Sequence, residues 1–138
     1  MSEPTVLVVE DEKAIRDMLR MALEVAKYRF IEAENIRDAH VLIVDERPDI
    51  VLLDWMLPGG SGLELLRRLK REDNTREIPV IMLTALASGN VAGGASKDGV
   101  LYLAKPVEMK RLLHCIEEHV KAHSGKLLTP ERDGGGDQ

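Results

Sequence analysis

The sequence predicts an α/β domain in which helices cover both faces of a doubly wound, five-stranded parallel sheet. Three short runs, at residues 6–9, 50–53 and 80–83, are apolar throughout, and this absence of in-out alternation is typical of strands buried on both faces. Stretches in which apolar residues recur every three or four positions separate these runs. Because strands and helices alternate along the chain, the strands are expected to lie parallel.

The first two predicted strands flank an amphipathic helix. Residues 5–9 are rich in β-branched side chains, and residues 29–33 give a second, weaker strand. The apolar positions between them follow one helical face: Ile15, Met18, Leu19, Ala22, Leu23 and Ala26. A second helix can begin after Asn35, whose side chain is a favourable N-cap. Its apolar positions are Ile36, Ala39, Leu42 and Ile43.

The second half of the chain repeats this alternation. Residues 50–53 form the third strand, which Asp54 closes, and the turn-forming residues 58–62 precede a third helix. Residues 80–83 and 100–104 are the fourth and fifth strands. The third helix and the last helix are marked by two sets of apolar positions: Leu63, Leu66 and Leu69 for the third, and Met109, Leu112, Leu113, Ile116 and Val120 for the last. Five strands in this alternation suit the flavodoxin-like order 2-1-3-4-5.

The chain of 138 residues is long enough for one domain with a sizeable core. We expect that domain to span residues 1–123. Residues 124–138 are polar and rich in glycine, so we expect them to form a disordered tail or linker.

Composition excludes several classes of protein. The formal net charge of −5 argues against direct binding of nucleic acid, which normally needs a basic face. No apolar run is long enough to span a membrane, and the first residues lack the pattern of a signal peptide. The single cysteine cannot form an internal disulfide and fits a reducing compartment. A cytoplasmic protein that does not associate with membranes is therefore expected.

Polar residues follow the predicted strands at the edge where ligands bind in such sheets. Glu10 and Asp11 follow the first strand, Asp54 the third, Thr84 the fourth and Lys105 the fifth. Carboxylates that are packed together repel one another unless a cation neutralises them. A hard divalent cation such as Mg²⁺ takes carboxylates, waters and a phosphate oxygen as ligands. The sequence thus predicts a magnesium site at this edge.

The residue types at this edge also suit phosphoryl transfer. We expect Asp11 and Asp54 to be direct metal ligands, Glu10 to act through a water, and the backbone carbonyl of Met56 to supply a further oxygen. A carboxylate can act as a nucleophile toward phosphorus, with the metal offsetting the charge of the phosphoryl oxygens.

Two further residues could hold the phosphoryl group. Lys105 would neutralise a second phosphoryl oxygen and Thr84 would donate its hydroxyl to a third. Pro106 would hold the loop after Lys105 in one shape, and a cis Lys105-Pro106 bond would achieve this.

Four blocks of sequence resemble the signature of response-regulator receiver domains of the CheY-like superfamily. They are residues 8–12 (Val-Val-Glu-Asp-Glu), 52–62 (Leu-Leu-Asp-Trp-Met-Leu-Pro-Gly-Gly-Ser-Gly), 82–85 (Met-Leu-Thr-Ala) and 105–106 (Lys-Pro). The second block is most similar to receivers of the PhoB type. The resemblance covers roughly residues 5–122, and four blocks in this order, each at a strand end, are a specific signal.

The resemblance implies a signalling domain rather than an enzyme that acts on other molecules. A sensor histidine kinase or a small phosphodonor would phosphorylate Asp54 in a Mg²⁺-dependent reaction, and the domain would itself catalyse only this self-phosphorylation and its own dephosphorylation. Thr84 and Tyr102 would be switch residues, with Tyr102 turning inward as Thr84 moves toward the phosphoryl group. A tyrosine in the last strand is equally often a partly buried core residue, so both interpretations of Tyr102 stay open.

Residues 85–99 depart from the family pattern. They contain four of the chain's 11 glycines, each of which costs about 1 kcal/mol relative to alanine inside a helix. We therefore expect an irregular or shortened fourth helix. Receivers of the PhoB type pair through charged residues near the fifth strand, where this chain has Val100, Leu101 and Cys115. The usual dimer is thus not expected, and Val100 and Leu101 are predicted to form an exposed patch for another partner.

Other functional classes fit the residues less well or stay open. A phosphatase of the haloacid-dehalogenase kind needs an aspartate where Met56 stands. A flavin or nucleotide site needs a glycine-rich loop where residues 10–13 are Glu-Asp-Glu-Lys. An interaction module of receiver shape that signals without phosphate stays open. A downstream effector protein, or a fused output domain such as a DNA-binding domain missing from this chain, would carry the output.

Overall fold

The structure is a computed structural model that describes residues 3–57, 60–84 and 100–132, with side chains through residue 122. The elements in chain order are β1 (Thr5–Val9), α1 (Lys13–Val25), β2 (Arg29–Ala33), α2 (Ile36–Glu46), β3 (Ile50–Asp54), β4 (Met56–Leu57), β5 (Gly60–Ser61), α3 (Gly62–Arg71), β6 (Val80–Thr84), β7 (Leu101–Ala104) and α4 (Met109–Arg132). All five predicted strands are present, and two further short strands, β4 and β5, lie between β3 and α3.

Five strands form a parallel sheet in the order β2-β1-β3-β6-β7. With β4 and β5 set aside in their own antiparallel pair, this is the predicted order 2-1-3-4-5. The order reverses between β1 and β3, where the chain crosses to the other side of β1. The carboxyl ends of β1 and β3 therefore lie side by side, and polar residues that follow them meet at one edge of the sheet.

Two apolar layers hold the helices against the sheet. On one face, Ile43 of α2 and Leu65 and Leu69 of α3 pack against the strands. On the other face, Leu23 of α1 and Ile116 of α4 do the same. All residues of β1, β3 and β6 are buried, as expected for central strands covered on both faces. The doubly wound architecture is confirmed.

Local sequence signals explain where two of the helices begin. The side chain of Asn35 accepts a hydrogen bond from the backbone N–H of Asp38 at 2.8 Å, which confirms the predicted N-cap of α2. Ser61 and Glu64 form a reciprocal capping box at the start of α3. The start of α3 is therefore fixed at Gly62, directly after its N-cap Ser61.

The predicted exposed patch near the last strand differs from the structure. Val100 is 1% exposed and packs in the core beside Val80 and Met82, and Leu101 is half-buried, so the prediction that they form an exposed patch was wrong. Side chains alternate across β7, so Tyr102 packs against the same core layer as Val100, and Leu101 and Leu103 pack with the other layer.

The end of the chain also differs from expectation. Helix α4 continues to Arg132, whereas disorder was expected from residue 124. The predicted fourth helix at residues 85–99 and the end of the tail, residues 133–138, lie outside the described residues. Within the described residues, no helix is long and apolar enough to cross a membrane.

Candidate functional site

Three carboxylates lie together at the carboxyl edge of the sheet. Asp54 is the last residue of β3, and Glu10 and Asp11 come directly after β1, which pairs with β3. Glu10 is 1% exposed and Asp54 is also buried, while Asp11 is exposed. One oxygen of each carboxylate lies within 4.8 Å of an oxygen of the other two. The strand order thus brings together the three acids that the sequence predicts as metal ligands.

Lys105 follows the edge strand β7, and its side chain extends toward the acids that follow β1 and end β3. Its Nζ lies 3.0 Å from Oε1 of Glu10 and 3.3 Å from Oδ1 of Asp54. Its backbone N–H donates to the carbonyl of Thr84 at 2.7 Å, and the Lys105-Pro106 peptide bond is cis, as the sequence suggested. Thr84 is the buried last residue of β6. The ammonium therefore contacts the acids, and Thr84 ends its strand at the same edge of the sheet.

Burial and neighbouring charges shift the pKa values of two residues at this edge, Glu10 and Lys105. Burial raises the pKa of Glu10 above its ordinary value, and the neighbouring Asp54 raises it further, against the hydrogen bonds from Lys105 and from the backbone N–H of Glu12. Burial lowers the pKa of Lys105, but the hydrogen bond to Glu10 and the charges of Asp54 and Glu10 outweigh it, so the net pKa is raised. The Lys105 ammonium contacts two of the three carboxylates, those of Glu10 and Asp54. Within the described residues, this leaves negative charge at the cluster for a cation to offset.

The donor set fits magnesium. Carboxylate oxygens at this separation can share one hard cation, with waters completing its coordination. Met56 lies two residues beyond Asp54, in β4, with its side chain 70% exposed. Its backbone carbonyl as a fourth ligand stays a prediction, as do the individual roles of the acids, Thr84 and Lys105.

Tyr102 lies in β7, which is separated from β3 by one strand, β6. It is half-buried, and its ring centroid is 6.0 Å from that of Trp55, with the planes tilted by 50°. Trp55 directly follows Asp54, and its backbone N–H donates to the carbonyl of Leu83 at 2.8 Å. The partly buried position agrees with the interpretation of Tyr102 as a core residue, and its role as a switch stays a prediction.

Arg16 in α1 contacts the site, although the sequence patterns did not identify it as a site residue. It is 7% exposed, and its Nη1 donates to the backbone carbonyl of Glu10 at 2.9 Å. The signal was present in the helical spacing, because residues 16, 19 and 23 share one face and Leu19 and Leu23 are both buried. An arginine on that face has to find partners in the interior.

Gly62 allows the close approach between α3 and the end of β3. Its backbone N–H donates to the carbonyl of Trp55 at 2.6 Å, and a Cβ at this position would overlap the backbone oxygen of Asp54. Only a residue without a side chain fits, so this glycine sets how closely the helix packs against the acid-bearing strand.

We expect Gly62→Ala to destabilise the protein by about 1–3 kcal/mol, the usual cost of an overpacked contact. The sign is informative, because alanine normally stabilises a helical position relative to glycine. Urea unfolding without Mg²⁺ measures the change, and a gain in stability would contradict the overlap. Ser61→Ala is the control, since it weakens the same helix start without touching Asp54. Only Gly62→Ala should also weaken Mg²⁺ binding.

Comparisons with known proteins agree with this geometry. Residues 6–117 match the family described as response regulator receiver domain. The chain is 50% identical over 110 residues to the phosphate regulon transcriptional regulatory protein PhoB of Pseudomonas aeruginosa, covering 79% of this chain and 48% of that protein. It is 43% identical over 113 residues to PhoB of Escherichia coli, covering 81% and 49%. The chain thus spans about half the length of these curated relatives.

A solved structure supports the same assignment. The CheY-like response regulator receiver domain protein from Methanospirillum hungatei superposes with a TM-score of 0.79 at 28% sequence identity, covering 91% of this chain and 99% of that one. Family match, sequence identity and strand order agree. The chain therefore belongs to the response regulator receiver domains of two-component systems.

Proposed function

We propose that the chain is a phosphoacceptor that takes a phosphoryl group onto Asp54 in a Mg²⁺-dependent reaction. The observation that carries the proposal is the cluster of Glu10, Asp11 and Asp54, with oxygens within 4.8 Å of one another and with Lys105 Nζ between two of them. An acidic cluster with one ammonium can hold a hard cation and then a phosphoryl group that neither acids nor lysine could hold alone.

In the proposed reaction, a carboxylate oxygen of Asp54 attacks phosphorus. The new O–P bond forms as the bond between phosphorus and the donor breaks, and the leaving group keeps that electron pair. A bound Mg²⁺ supplies the positive charge that offsets the charge on the phosphoryl oxygens. Lys105 holds a second oxygen through its ammonium, which already lies 3.3 Å from Oδ1 of Asp54. Thr84 donates its hydroxyl to a third oxygen.

The new charge would then change a surface of the domain. A phosphoryl group adds close to two negative charges and three acceptor oxygens. Because Lys105 and Thr84 are joined by a backbone hydrogen bond, movement of either one toward the phosphoryl group would carry the other with it. The side chain of Tyr102 in β7 would then turn inward as Thr84 moves. We propose that phosphorylation shifts the population between two arrangements of the surface around β7 and the segment after β6.

We propose a sensor histidine kinase as the phosphodonor and a regulatory output as the result. The relatives are named as transcriptional regulators, and this chain spans about half of their length. A fused output domain or a separate effector protein would therefore carry the response, and this domain itself would not contact nucleic acid, in keeping with its net charge of −5. The cytoplasm, with its reducing conditions, is the proposed location.

The experiment is intact mass after incubation with acetyl phosphate, with Mg²⁺ and with a chelator in its place. We expect a gain of one phosphoryl group with Mg²⁺ and none when the metal is removed, because the acids then repel both one another and the donor. A known receiver treated in parallel shows that the donor is active. If that receiver gains mass and this chain does not, the phosphoacceptor role is wrong, and an interaction module that signals without phosphate becomes the better hypothesis.

A further inference from the structure

We infer that Arg16 is a positioning residue, which holds the Glu10-Asp11 peptide in the orientation that binds Mg²⁺. The inference rests on the proposed function, because metal binding by these acids is itself proposed. Arg16 lies outside all four sequence blocks that carry the family resemblance. It acts through the backbone of Glu10.

The peptide groups on both sides of Glu10 are held. The backbone N–H of Glu10 donates to the carbonyl of Ala33 in the neighbouring strand at 3.1 Å. The carbonyl of Glu10 accepts from Nη1 of Arg16 at 2.9 Å, in a buried hydrogen bond. That carbonyl belongs to the peptide that leads into Asp11. Its orientation therefore decides where the exposed carboxylate of Asp11 lies relative to the buried ones of Glu10 and Asp54.

Arg16 is itself fixed by acids of strand β2 and the residues after it. Its Nε donates to Oε1 of Glu32 at 2.8 Å, and its Nη2 lies 3.5 Å from Oε2 of Glu34. The other oxygen of Glu32 accepts from Nη2 of Arg20 at 2.7 Å. A planar guanidinium held at two nitrogens points its third in a set direction. The Glu10 carbonyl is therefore held by a rigid donor.

Arg16 could act on the site through its positive charge or through its hydrogen bond to the Glu10 carbonyl. The two roles predict opposite changes in Mg²⁺ affinity when Arg16 is replaced by a neutral residue. If the guanidinium mattered only as a positive charge near the acids, its removal would strengthen Mg²⁺ binding. If it matters as a donor, its removal leaves a buried carbonyl without a partner, and the peptide turns to find one. Asp11 then moves away from Glu10 and Asp54, and Mg²⁺ binding weakens. The sign of the change distinguishes the two roles.

The test compares Arg16→Met with Arg20→Met. Both variants lose one positive charge and one hydrogen bond to Glu32, but only Arg16 reaches Glu10. Trp55, the chain's one tryptophan, directly follows Asp54, so we choose its fluorescence as the readout for Mg²⁺ binding. We expect the dissociation constant to rise about 10- to 100-fold for Arg16→Met, as for other residues that orient metal ligands, and to stay near the wild-type value for Arg20→Met.

Two controls separate positioning from general destabilisation. Urea unfolding without Mg²⁺ sets conditions in which both variants are fully folded. Arg16→Lys has one nitrogen in place of three. Its ammonium can donate to the Glu10 carbonyl but cannot also take the place of Nε at Glu32. We therefore expect this variant to recover part of the Mg²⁺ affinity without recovering stability. This variant also carries the test if Arg16→Met does not fold.

Each outcome decides a different point. Mg²⁺ binding by Arg16→Met that matches or exceeds that of Arg20→Met would overturn the positioning role, provided that the wild-type protein binds Mg²⁺. Affinity that follows stability across all three variants would overturn it as well. A wild-type protein that binds no Mg²⁺ would overturn the proposed function first, and this inference with it.

Discussion

Asp54→Asn is expected to abolish phosphoryl uptake while leaving the fold intact. The asparagine side chain has the shape of aspartate but no carboxylate oxygen that can attack phosphorus. Its neutral oxygen can still accept a hydrogen bond from Lys105, now 3.3 Å from Oδ1 of Asp54, and the repulsion between Asp54 and Glu10 disappears. We therefore expect the free energy of unfolding without Mg²⁺ to change by no more than about 1 kcal/mol.

Asp11→Asn is the matched control, because it removes a predicted metal ligand but keeps the nucleophile. Phosphoryl uptake by this variant should be slow at low Mg²⁺ and recover as Mg²⁺ is raised, whereas Asp54→Asn should gain no mass at any concentration. Intact mass at fixed times after addition of acetyl phosphate measures both. A full gain in Asp54→Asn would mean that another residue is the acceptor, and peptide mapping would then locate it.

The strand ends were predictable from sequence because one rule governs them. Parallel strands present their carboxyl ends at the same edge, so polar residues that directly follow apolar runs are bound to meet there. Glu10, Asp54 and Lys105 satisfy that rule, and the strand order places all three at the same edge. No knowledge of side-chain packing was needed to bring them together.

Helix α1 shows where sequence patterns fall short. Met18 was expected on the buried face but is 52% exposed, while Arg16 is buried. Apolar spacing defines a face only to within a residue or so, since neighbours on a helix differ by about 100°. Which side chain turns inward depends on partners from other elements, here the Glu10 carbonyl and Glu32. Those partners are tertiary information that a pattern within one helix does not contain.

The burial of Val100 follows the same logic. Val100 was judged against a charge pattern known from relatives, and the prediction of an exposed patch took no account of what covers β7. In the structure this residue joins the layer that also contains Val80 and Met82. An apolar residue at the start of a strand is more often part of the core than a surface patch, unless a polar neighbour on the same face shows otherwise.

Lys105→Met is expected to have opposite effects on phosphoryl uptake and on Mg²⁺ binding. Methionine keeps most of the unbranched side chain but removes the ammonium that lies between Glu10 and Asp54. Loss of a charge that stabilises the transferring group should slow uptake about 100-fold or more. Removal of a positive charge beside the metal site should instead tighten Mg²⁺ binding by roughly tenfold. A tenfold change corresponds to about 1.4 kcal/mol, which is modest for the repulsion between two positive charges a few ångströms apart.

Stability without Mg²⁺ should fall in the same variant, in a way that depends on pH. Breaking a buried ion pair by removing one partner costs about 3–5 kcal/mol. The pKa of Glu10 is already raised by burial and by Asp54, and without Lys105 it rises further. An acid with a raised folded pKa favours the folded state at low pH and loses that contribution as pH rises through the folded pKa. The deficit of the variant should therefore grow with pH above the ordinary carboxyl value of 4.5.

Lys110→Met is the matched control, because Lys110 is an exposed lysine of α4 for which the described part of the chain shows no ion pair. It should leave uptake, Mg²⁺ affinity and stability near their wild-type values. Urea unfolding at several pH values, Trp55 fluorescence and intact mass give the three readouts. If Lys105→Met weakened Mg²⁺ binding, the lysine would be holding Glu10 and Asp54 in place for the metal. If it tightens binding and slows uptake, the ammonium competes with the metal for the same charge and acts chiefly once the phosphoryl group arrives.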